Sequence, residues 1–278
     1  MKILLPLAIA LTISTPAIAD VYTDVNYKNS KDVSEAAAKV GYVMDNGLSF
    51  DLENVYDFKN KENKEVTLGT AWKFGIASGV YIQPLAEFTF STYKTAKESQ
   101  ITGNYQPSLT KHSAKYDVGH TSKVGIKGGY KHDSGLYLDA RYRYETRKDD
   151  AEYYARTSSG VPTNEFQLYR VALKDNVHRT DLTLGYDISN VANLSVNWVR
   201  KAHTLKLDGS HQADGNKAKP LTAGKDNFTT NDYELRADVT ALGDLMPYAQ
   251  YTIKSDIMKN DVTLKRENEI KVGLIYNF

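Results

Sequence analysis

Apolar and polar residues alternate along most of the chain with the period of two that is typical of β-strands. In one such segment, Leu136 and Leu138 fall on one face, whereas Asp139 and Arg141 fall on the other. Twelve segments have one apolar and one polar face, at about 20–28, 33–43, 48–57, 64–74, 80–92, 118–130, 136–147, 178–188, 194–203, 230–240, 245–254 and 268–278. The pattern predicts strands that separate an apolar environment from a polar one.

The connections between these segments differ in length. Five are tight turns with Gly, Asn or Asp, at 44–47, 75–79, 131–135, 189–193 and 241–244. Three are predicted as long loops, at about 93–117, 148–177 and 204–229. Short turns at one end and longer loops at the other are typical of outer-membrane barrels. We therefore predict an all-β fold, a transmembrane antiparallel up-and-down β-barrel with 12 strands, over residues 20–278.

Aromatic residues on the apolar face sort by height when the even-numbered segments run towards the periplasm. One group falls at the periplasmic rim: Tyr42, Trp72, Phe74, Tyr130, Tyr186, Tyr276 and Phe278. The other falls towards the outer rim: Tyr27, Tyr56, Phe90, Tyr144, Trp198 and Tyr233. Two aromatic belts match the two membrane interfaces. The strands of a soluble β-sandwich would also alternate apolar and polar residues. A sandwich has no membrane interfaces, however, that would place its aromatic residues at two heights.

Composition agrees with a barrel that hides its apolar residues by alternation. Mean hydropathy is −0.49, although the chain has 20 Tyr, 8 Phe and 2 Trp. No apolar run approaches the roughly 18 residues of a membrane-spanning helix. The net charge is +1, which argues against a nucleic-acid binder. The absence of cysteine excludes a disulfide scaffold, a thiolate zinc site and a cysteine nucleophile.

The first 19 residues have the features of an export signal. Lys2 supplies a positive charge, an apolar run covers residues 3–13, and Ala17-Ile18-Ala19 has the small-x-small cleavage pattern. We predict a signal peptide over residues 1–19 and cleavage after Ala19. Localisation in the bacterial cell outer membrane, crossed many times by strands, follows from this export signal together with the barrel.

Four short stretches carry a resemblance to a known family. They are Ala140-Arg141-Tyr142-Arg143-Tyr144-Glu145, Asp175-Asn176-Val177-His178-Arg179, Tyr81-Ile82-Gln83-Pro84 and the ending Val272–Phe278. With these stretches the chain resembles the oligogalacturonate-specific monomeric porin family, which includes a sialic acid channel. The resemblance implies a twelve-stranded monomer that passes acidic oligosaccharides along arginines in its lumen.

The polar face supplies a physical reason for such a function. The predicted basic track consists of seven residues: Arg141, Arg143, Arg147, Arg179, Arg236, Lys123 and Lys127. Guanidinium groups match carboxylates in a bidentate manner. A column of them would pass a uronate or sialate from one partner to the next, provided that each contact also releases it. Tyr137 and Tyr248 on the same face are predicted to stack on sugar rings.

The same arginines could instead pair with carboxylates in a polar lumen. Asp139, Glu145, Asp181 and Asp187 lie among them. Segments at 48–92 form an acidic stretch with Asp51, Glu53, Glu65 and Glu87. A general small-solute porin is therefore the alternative to a channel for passive diffusion of acidic sugars.

An enzyme is the next hypothesis, because another twelve-stranded outer-membrane barrel is a phospholipase with Ser and His on its lipid face. His120 and Ser122 have the corresponding spacing. Lys123-Val124 follows where the phospholipase pattern has Asn-Gly. Polar residues at the membrane rim explain the pair more simply, and we predict no catalytic residue. A surface adhesin, which would show no conductance, is the remaining class.

The remaining predictions concern partners and cofactors. Arg200, on the outward face, is expected to meet lipopolysaccharide phosphate, and the terminal Phe278 resembles the signal read by the outer-membrane assembly machinery. No cofactor or nucleotide site is predicted, because Gly125–Gly129 lacks a strand-to-helix context. No metal site is predicted either. Four histidines fall in predicted loops or turns without ligand spacing and are interpreted as solvated: His112, His132, His203 and His211.

Overall fold

The structure is a computed structural model that describes residues 19–31, 33–92, 94–102, 109–158, 164–213, 216–221, 223–259 and 262–278. The predicted signal peptide lies almost entirely outside these residues and remains a prediction. No helix in the described ranges is long and apolar enough to cross a membrane.

The described chain is built of β-strands joined by turns. In chain order they are β1 (Ala19–Asn29), β2 (Ser34–Met44), β3 (Leu48–Asp57), β4 (Glu62–Trp72), β5 (Phe74–Ala77), β6 (Val80–Ser91), β7 (Lys94–Thr102), β8 (Leu109–Asp117), β9 (Thr121–Lys131), β10 (Leu136–Ser158), β11 (Asn164–Ile188), β12 (Ala192–Ala213), β13 (Lys219–Pro220), β14 (Gly224–Val239), β15 (Leu245–Lys254), β16 (Ile257–Lys259), β17 (Val262–Leu264) and β18 (Glu269–Asn277).

Within the described ranges, twelve of these strands close into an antiparallel barrel, as predicted. Each pairs with its neighbours in the order β1-β2-β3-β4-β6-β9-β10-β11-β12-β14-β15-β18, and β18 pairs with β1. Closure leaves no open edge in the ring, which is the condition for a sheet that crosses a lipid bilayer. The backbone N–H of Phe278 donates to the carbonyl of Val21 at 2.9 Å and extends this closing pair.

Burial in the barrel is the reverse of that in a soluble protein. Apolar side chains of the predicted outward face are exposed, among them Leu138, Val124 and Leu184. The buried side chains are mostly polar, and they include Arg143 and Asp181. Such a surface suits lipid outside and water inside, so the alternation found in the sequence is confirmed in its phase as well as its period.

The three predicted long loops are wrong in large part, because strands continue through them. β10 and β11 run on as a paired ladder to Ser158 and Asn164, and β12 runs on to Ala213. β7 and β8 form a hairpin whose second strand pairs with the upper part of β10. We call this raised sheet of β7, β8 and the upper parts of β10, β11 and β12 the wall. At about 3.3 Å per residue, the 23 residues of β10 reach far beyond the apolar band of a bilayer.

In the wall the alternation has the opposite sense, and for this reason the sequence pattern predicts loops where the structure has strands. The inward face becomes apolar, with Val171, Leu173 and Leu205, and it carries Tyr153 opposite Tyr169. The outward face becomes polar, since it now meets water rather than lipid. Two histidines predicted in loops lie on this inward face instead. His203 stacks on Phe228 at 4.4 Å, and His211 stacks on Tyr169 at 4.4 Å.

Candidate channel interior

The seven predicted basic residues all lie on inward-facing positions of the barrel strands or at the base of the wall. Their strands are β9, β10, β11 and β14, of which the first three are consecutive neighbours. The cross-strand register places Arg143 opposite both Gly125 and Arg179. Strand pairing thus collects guanidinium groups from two strands at one height of the lumen.

Asp181 is the centre of this collection. Its carboxylate accepts from Arg141 Nε at 2.6 Å through one oxygen and from Arg179 Nε at 2.8 Å through the other. Arg141 is its direct cross-strand partner, and Arg179 precedes it by two residues on the same face. Only 4% of Asp181 is exposed. Two guanidinium groups therefore share one buried carboxylate, which leaves an excess of positive charge at this point.

Arg143 lies directly above and is also engaged. Its Nη1 atom is 3.1 Å from Glu87, and its Nη2 atom is 2.7 Å from Glu145. Lys123 Nζ contacts Glu87 as well, at 3.1 Å. Glu87, like Asp181, is thus shared by two cations. We call Arg141, Arg143, Arg179 and Lys123, with their carboxylates, the arginine cluster.

The other three predicted residues form ion pairs away from the cluster. Lys127 contacts Asp139 at 2.8 Å. Arg236, nearer the periplasmic end, contacts Asp238 at 2.6 Å. Each of the seven predicted residues therefore has a carboxylate partner, once Arg147 is included. Pairing with carboxylates, which the sequence left open beside sugar binding, is therefore present at every one of these residues.

Arg147 belongs to a second network at the base of the wall. Its Nε is 3.0 Å from Asp149, which is only 2% exposed. Asp149 also accepts from the Tyr116 hydroxyl at 2.8 Å and from the Gly119 backbone N–H at 2.9 Å. Burial raises the pKa of the Tyr116 phenol, and its hydrogen bond to Asp149 raises the pKa further. This network anchors β8 to β10.

Lys201 is a functional candidate that the sequence analysis missed. It lies on β12 directly opposite Arg179, on the inward face, and the described part of the chain supplies no ion-pair partner for it. In the segment at 194–203, Ser195 and Asn197 fall on the polar face, and the same parity extended by four residues reaches Lys201. The alternation of this segment therefore already indicates an inward-facing Lys201.

Arg266 was missed for a different reason. It lies between β17 and β18, outside any predicted segment. Its guanidinium group donates two hydrogen bonds to the Asp232 carboxylate, from Nη1 at 2.6 Å and from Nη2 at 3.1 Å. Asp232 is 5% exposed. A residue that folds back onto the lumen from a connection has no periodicity that could reveal it.

The opposite side of the lumen is also paired, although the sequence suggested an acidic stretch there. Lys39 lies between Asp51 and Glu53, at 3.5 and 3.3 Å. The lumen is therefore a mosaic of ion pairs. Near its outer end a cavity of about 270 Å³ is bordered by Lys123, Arg147 and Lys201 as well as by Glu65 and Glu145.

The two tyrosines predicted to stack on sugars, Tyr137 and Tyr248, both pack against glycines inside the barrel. Four inward tyrosines each lie against a glycine directly across the strand pair: Tyr22 on Gly41, Tyr81 on Gly129, Tyr137 on Gly185 and Tyr248 on Gly273. A Cβ atom on any of these glycines would lie 2.1–2.4 Å from a neighbouring atom. Tyr248 is 4% exposed and has the Arg236 guanidinium 3.8 Å from its ring centre. Both faces of its ring are occupied, so it offers no sugar platform.

The predicted His120–Ser122 pair does not have the geometry of a catalytic dyad. His120 Nδ1 accepts a hydrogen bond from the Ser91 backbone N–H at 3.2 Å. Its ring packs against Phe88 and Phe90, with centroids 5.9 and 5.7 Å apart. Because Nδ1 accepts, Nε2 carries the proton and is not the acceptor that a nucleophilic serine requires. No group of three or more potential metal-ligating side chains occurs among the described residues.

Comparison with solved structures identifies similar folds. The chain is similar to "KdgM porin" (TM-score 0.53, 10% identity), covering 92% of this chain and 99% of that one. It is also similar to "NanC porin" (TM-score 0.51, 16% identity), covering 93% of this chain and 100% of that one. A structure of the KdgM porin in complex with disordered oligogalacturonate has a TM-score of 0.52 at 9% identity, with 92% and 99% covered. No protein-family model and no curated protein matches the chain.

Proposed function

We propose that this chain is a bacterial outer-membrane channel through which acidic sugars or oligosaccharides diffuse passively into the periplasm. The closed barrel with an apolar exterior and an ionic lumen supports a channel in a lipid bilayer. Porins of similar fold, one of them solved with oligogalacturonate, support the same class.

The observation that carries the choice of substrate is the sharing of Asp181 by Arg141 and Arg179. Two cations on one carboxylate, with Lys201 beside them, favour entry of an anion at this height. Because each guanidinium is also held by a protein carboxylate, a passing sugar acid competes for it rather than binding permanently. Contacts that attract and then release are what conduction requires.

A planar-bilayer experiment tests this proposal. In a KCl gradient, the wild-type channel is expected to prefer anions, and its current is expected to be blocked more by galacturonate oligomers than by neutral oligosaccharides of equal length. Arg141→Ala with Arg143→Ala should reduce both effects. Lys59→Ala with Lys61→Ala removes the same charge at exposed positions between β3 and β4 and should change neither.

A general small-solute porin is the second candidate, and the pairing of every predicted basic residue with a carboxylate favours it. Equal passage of neutral and acidic sugars, with a reversal potential that the Arg141 and Arg143 substitutions leave unchanged, would select this candidate. A bilayer without current would exclude both and favour an adhesin.

Export and assembly complete the proposed function. We propose that residues 1–19 are removed on export, that the barrel functions as a monomer and that the assembly machinery binds Phe278. The Phe278 ring is 58% exposed and packs edge-on against Tyr276 at 4.8 Å, so one aromatic side chain is presented at the rim. N-terminal sequencing of the mature protein tests the first of these proposals, since an intact Met1 would refute it.

A further inference from the structure

Three tyrosine side chains surround a small depression on the inner face of the wall. Ala151 of β10 lies opposite Tyr116 of β8 on one side and opposite Val171 of β11 on the other. Tyr153, two residues further along β10, lies opposite Tyr169. The small side chain of Ala151 leaves a cavity of about 290 Å³ among these larger neighbours. We call these five residues the tyrosine cup.

Two of the three rings are held in place by neighbours, and the cup is nevertheless accessible. The Tyr116 hydroxyl donates to the buried Asp149 at 2.8 Å. The Tyr169 ring stacks on His211, with the ring centres 4.4 Å apart and the planes 20° from parallel. Tyr116 and Tyr153 are 37% and 40% exposed. The cup therefore presents aromatic surface that is already positioned before a ligand arrives, which lowers the cost of binding.

The cup itself is uncharged, but it lies in line with the charged part of the lumen. The next inward position below Ala151 is Asp149, which is paired with Arg147 at 3.0 Å. Arg147 is four residues below Ala151, a distance of about 13 Å along the strand. Arg143 of the arginine cluster is eight residues below, at about 26 Å. A molecule that contacts the cup and these arginines together is elongated and carries anionic groups along its length.

We propose that the tyrosine cup binds one sugar ring of an acidic oligosaccharide whose carboxylates reach the arginines below. This inference rests on the proposed function and adds a second contact to it. A pyranose ring has an apolar C–H face and polar edges, which suit phenol rings with an apolar face and a hydroxyl group. Small-molecule sites have volumes of about 300–1,000 Å³, so the cup has room for a single ring. Its position above the basic residues favours the permeating molecule as the occupant.

Two linked contacts predict that binding depends on the length of the oligomer. When one ring lies in the cup, contact between a carboxylate of the same molecule and the arginines becomes intramolecular, and the apparent affinity rises. An oligomer that is too short to span both sites gains nothing from the cup. Block by a galacturonate hexamer should therefore depend on the cup, whereas block by the dimer should depend on the basic residues alone.

Single-channel recording of block by the dimer and the hexamer tests this inference. Tyr153→Leu with Tyr169→Leu removes two flat rings and keeps apolar side chains in their place. The half-blocking concentration of the hexamer should rise about tenfold, because the second contact is lost, and that of the dimer should stay the same. Tyr153→Phe with Tyr169→Phe should retain wild-type block. Tyr154→Leu, on the outer face of the same strand, is the matched control and should change neither value.

A filled cup gives a second, independent test. Ala151→Leu places a larger side chain on the floor of the cup and keeps all three tyrosines. We expect the same selective loss of hexamer block. Resistance of residues 94–117 to trypsin shows that the wall remains folded in each variant, and where one variant is cut, the other decides.

A neutral hexasaccharide separates this inference from the proposed function. Saturation-transfer NMR of the barrel in detergent should show transfer from tyrosine protons to its sugar rings, and the leucine variants should lose this signal. Unchanged hexamer block in the Tyr153, Tyr169 and Ala151 variants would overturn the inference, as would equal loss of dimer and hexamer block. Transfer to an aromatic peptide but to no sugar would overturn the choice of occupant. A wild-type channel without preference for acidic sugars would instead overturn the proposed function.

Discussion

The ring of Tyr248 lies on Gly273, its cross-strand partner, so closely that a Cβ atom on this glycine would come within 2.4 Å of the ring. The Tyr248 hydroxyl donates to Asp24 at 2.9 Å on the next strand but one. One tyrosine therefore joins three consecutive strands, β15, β18 and β1, at the point where the barrel closes. The missing side chain of Gly273 is a condition for this joint.

Gly273→Ala is expected to lower the free energy of unfolding by about 1–3 kcal/mol, because the added methyl must displace the Tyr248 ring and strain its hydrogen bond. Urea unfolding of the barrel in lipid vesicles, followed by tryptophan fluorescence, measures this effect. Gly128→Ala is the control, since its Cβ would meet nothing closer than 3.7 Å. Equal stability of the two variants would show that the tyrosine joint contributes little.

Asp181→Asn should increase anion selectivity, because two guanidinium groups lose their shared negative partner. We also expect a destabilisation of about 1–3 kcal/mol, since charged hydrogen-bond donors are left underpaired. The reversal potential in a KCl gradient measures the first effect. Asp187→Asn is the charge-matched control: Asp187 pairs with Lys131 at 2.7 Å and is more exposed, so a smaller shift is expected.

Lys201→Gln should reduce block by galacturonate oligomers without lowering barrel stability, because no ion pair within the described ranges depends on it. Single-channel recording gives the block, and urea unfolding gives the stability. Lys254→Gln serves as comparison, since Lys254 is already held by Glu269 at 2.9 Å. A stronger effect at Lys254 than at Lys201 would contradict the assigned role of Lys201.

Shortening the wall tests whether the barrel closes without it. Replacing residues 150–172 with Asn-Gly joins Asp149 to Leu173, which already face each other in the ladder, by a two-residue hairpin turn. The barrel should still show heat-dependent migration on SDS gels. Trypsin should now cut within residues 94–117, because β8 loses the upper part of β10 as its partner. An uncut β7–β8 hairpin would show that other contacts hold it.

Alternation identified the barrel because lipid and lumen act on every strand that crosses the bilayer. Its twelve strands and five tight turns were readable for this reason. The wall was not readable as strand, because above the membrane the apolar face turns inward, as Val171 and Leu173 do, and a search for polar inward positions fails there. The register decides which side chains meet, and periodicity does not supply it.

The same difference between periodicity and strand register applies to the residues of the channel interior. Inward orientation of Arg141, Arg143 and Arg179 followed from parity. That Arg141 and Arg179 share Asp181 depends on register, and so does the position of Lys201 opposite Arg179. The role expected of Tyr248 was wrong, because nothing in a single strand reveals that the facing residue is Gly273.

Within the described ranges, the wall rises from one arc of the rim. β1 to β4 end within a few residues of the band, at Asn29, Ser34, Asp57 and Glu62, whereas β10 to β12 continue for ten residues or more above the corresponding height. The entrance is consequently oblique. It opens sideways over the short strands β1 to β4, and the tall apolar inner face of the wall stands on the opposite side.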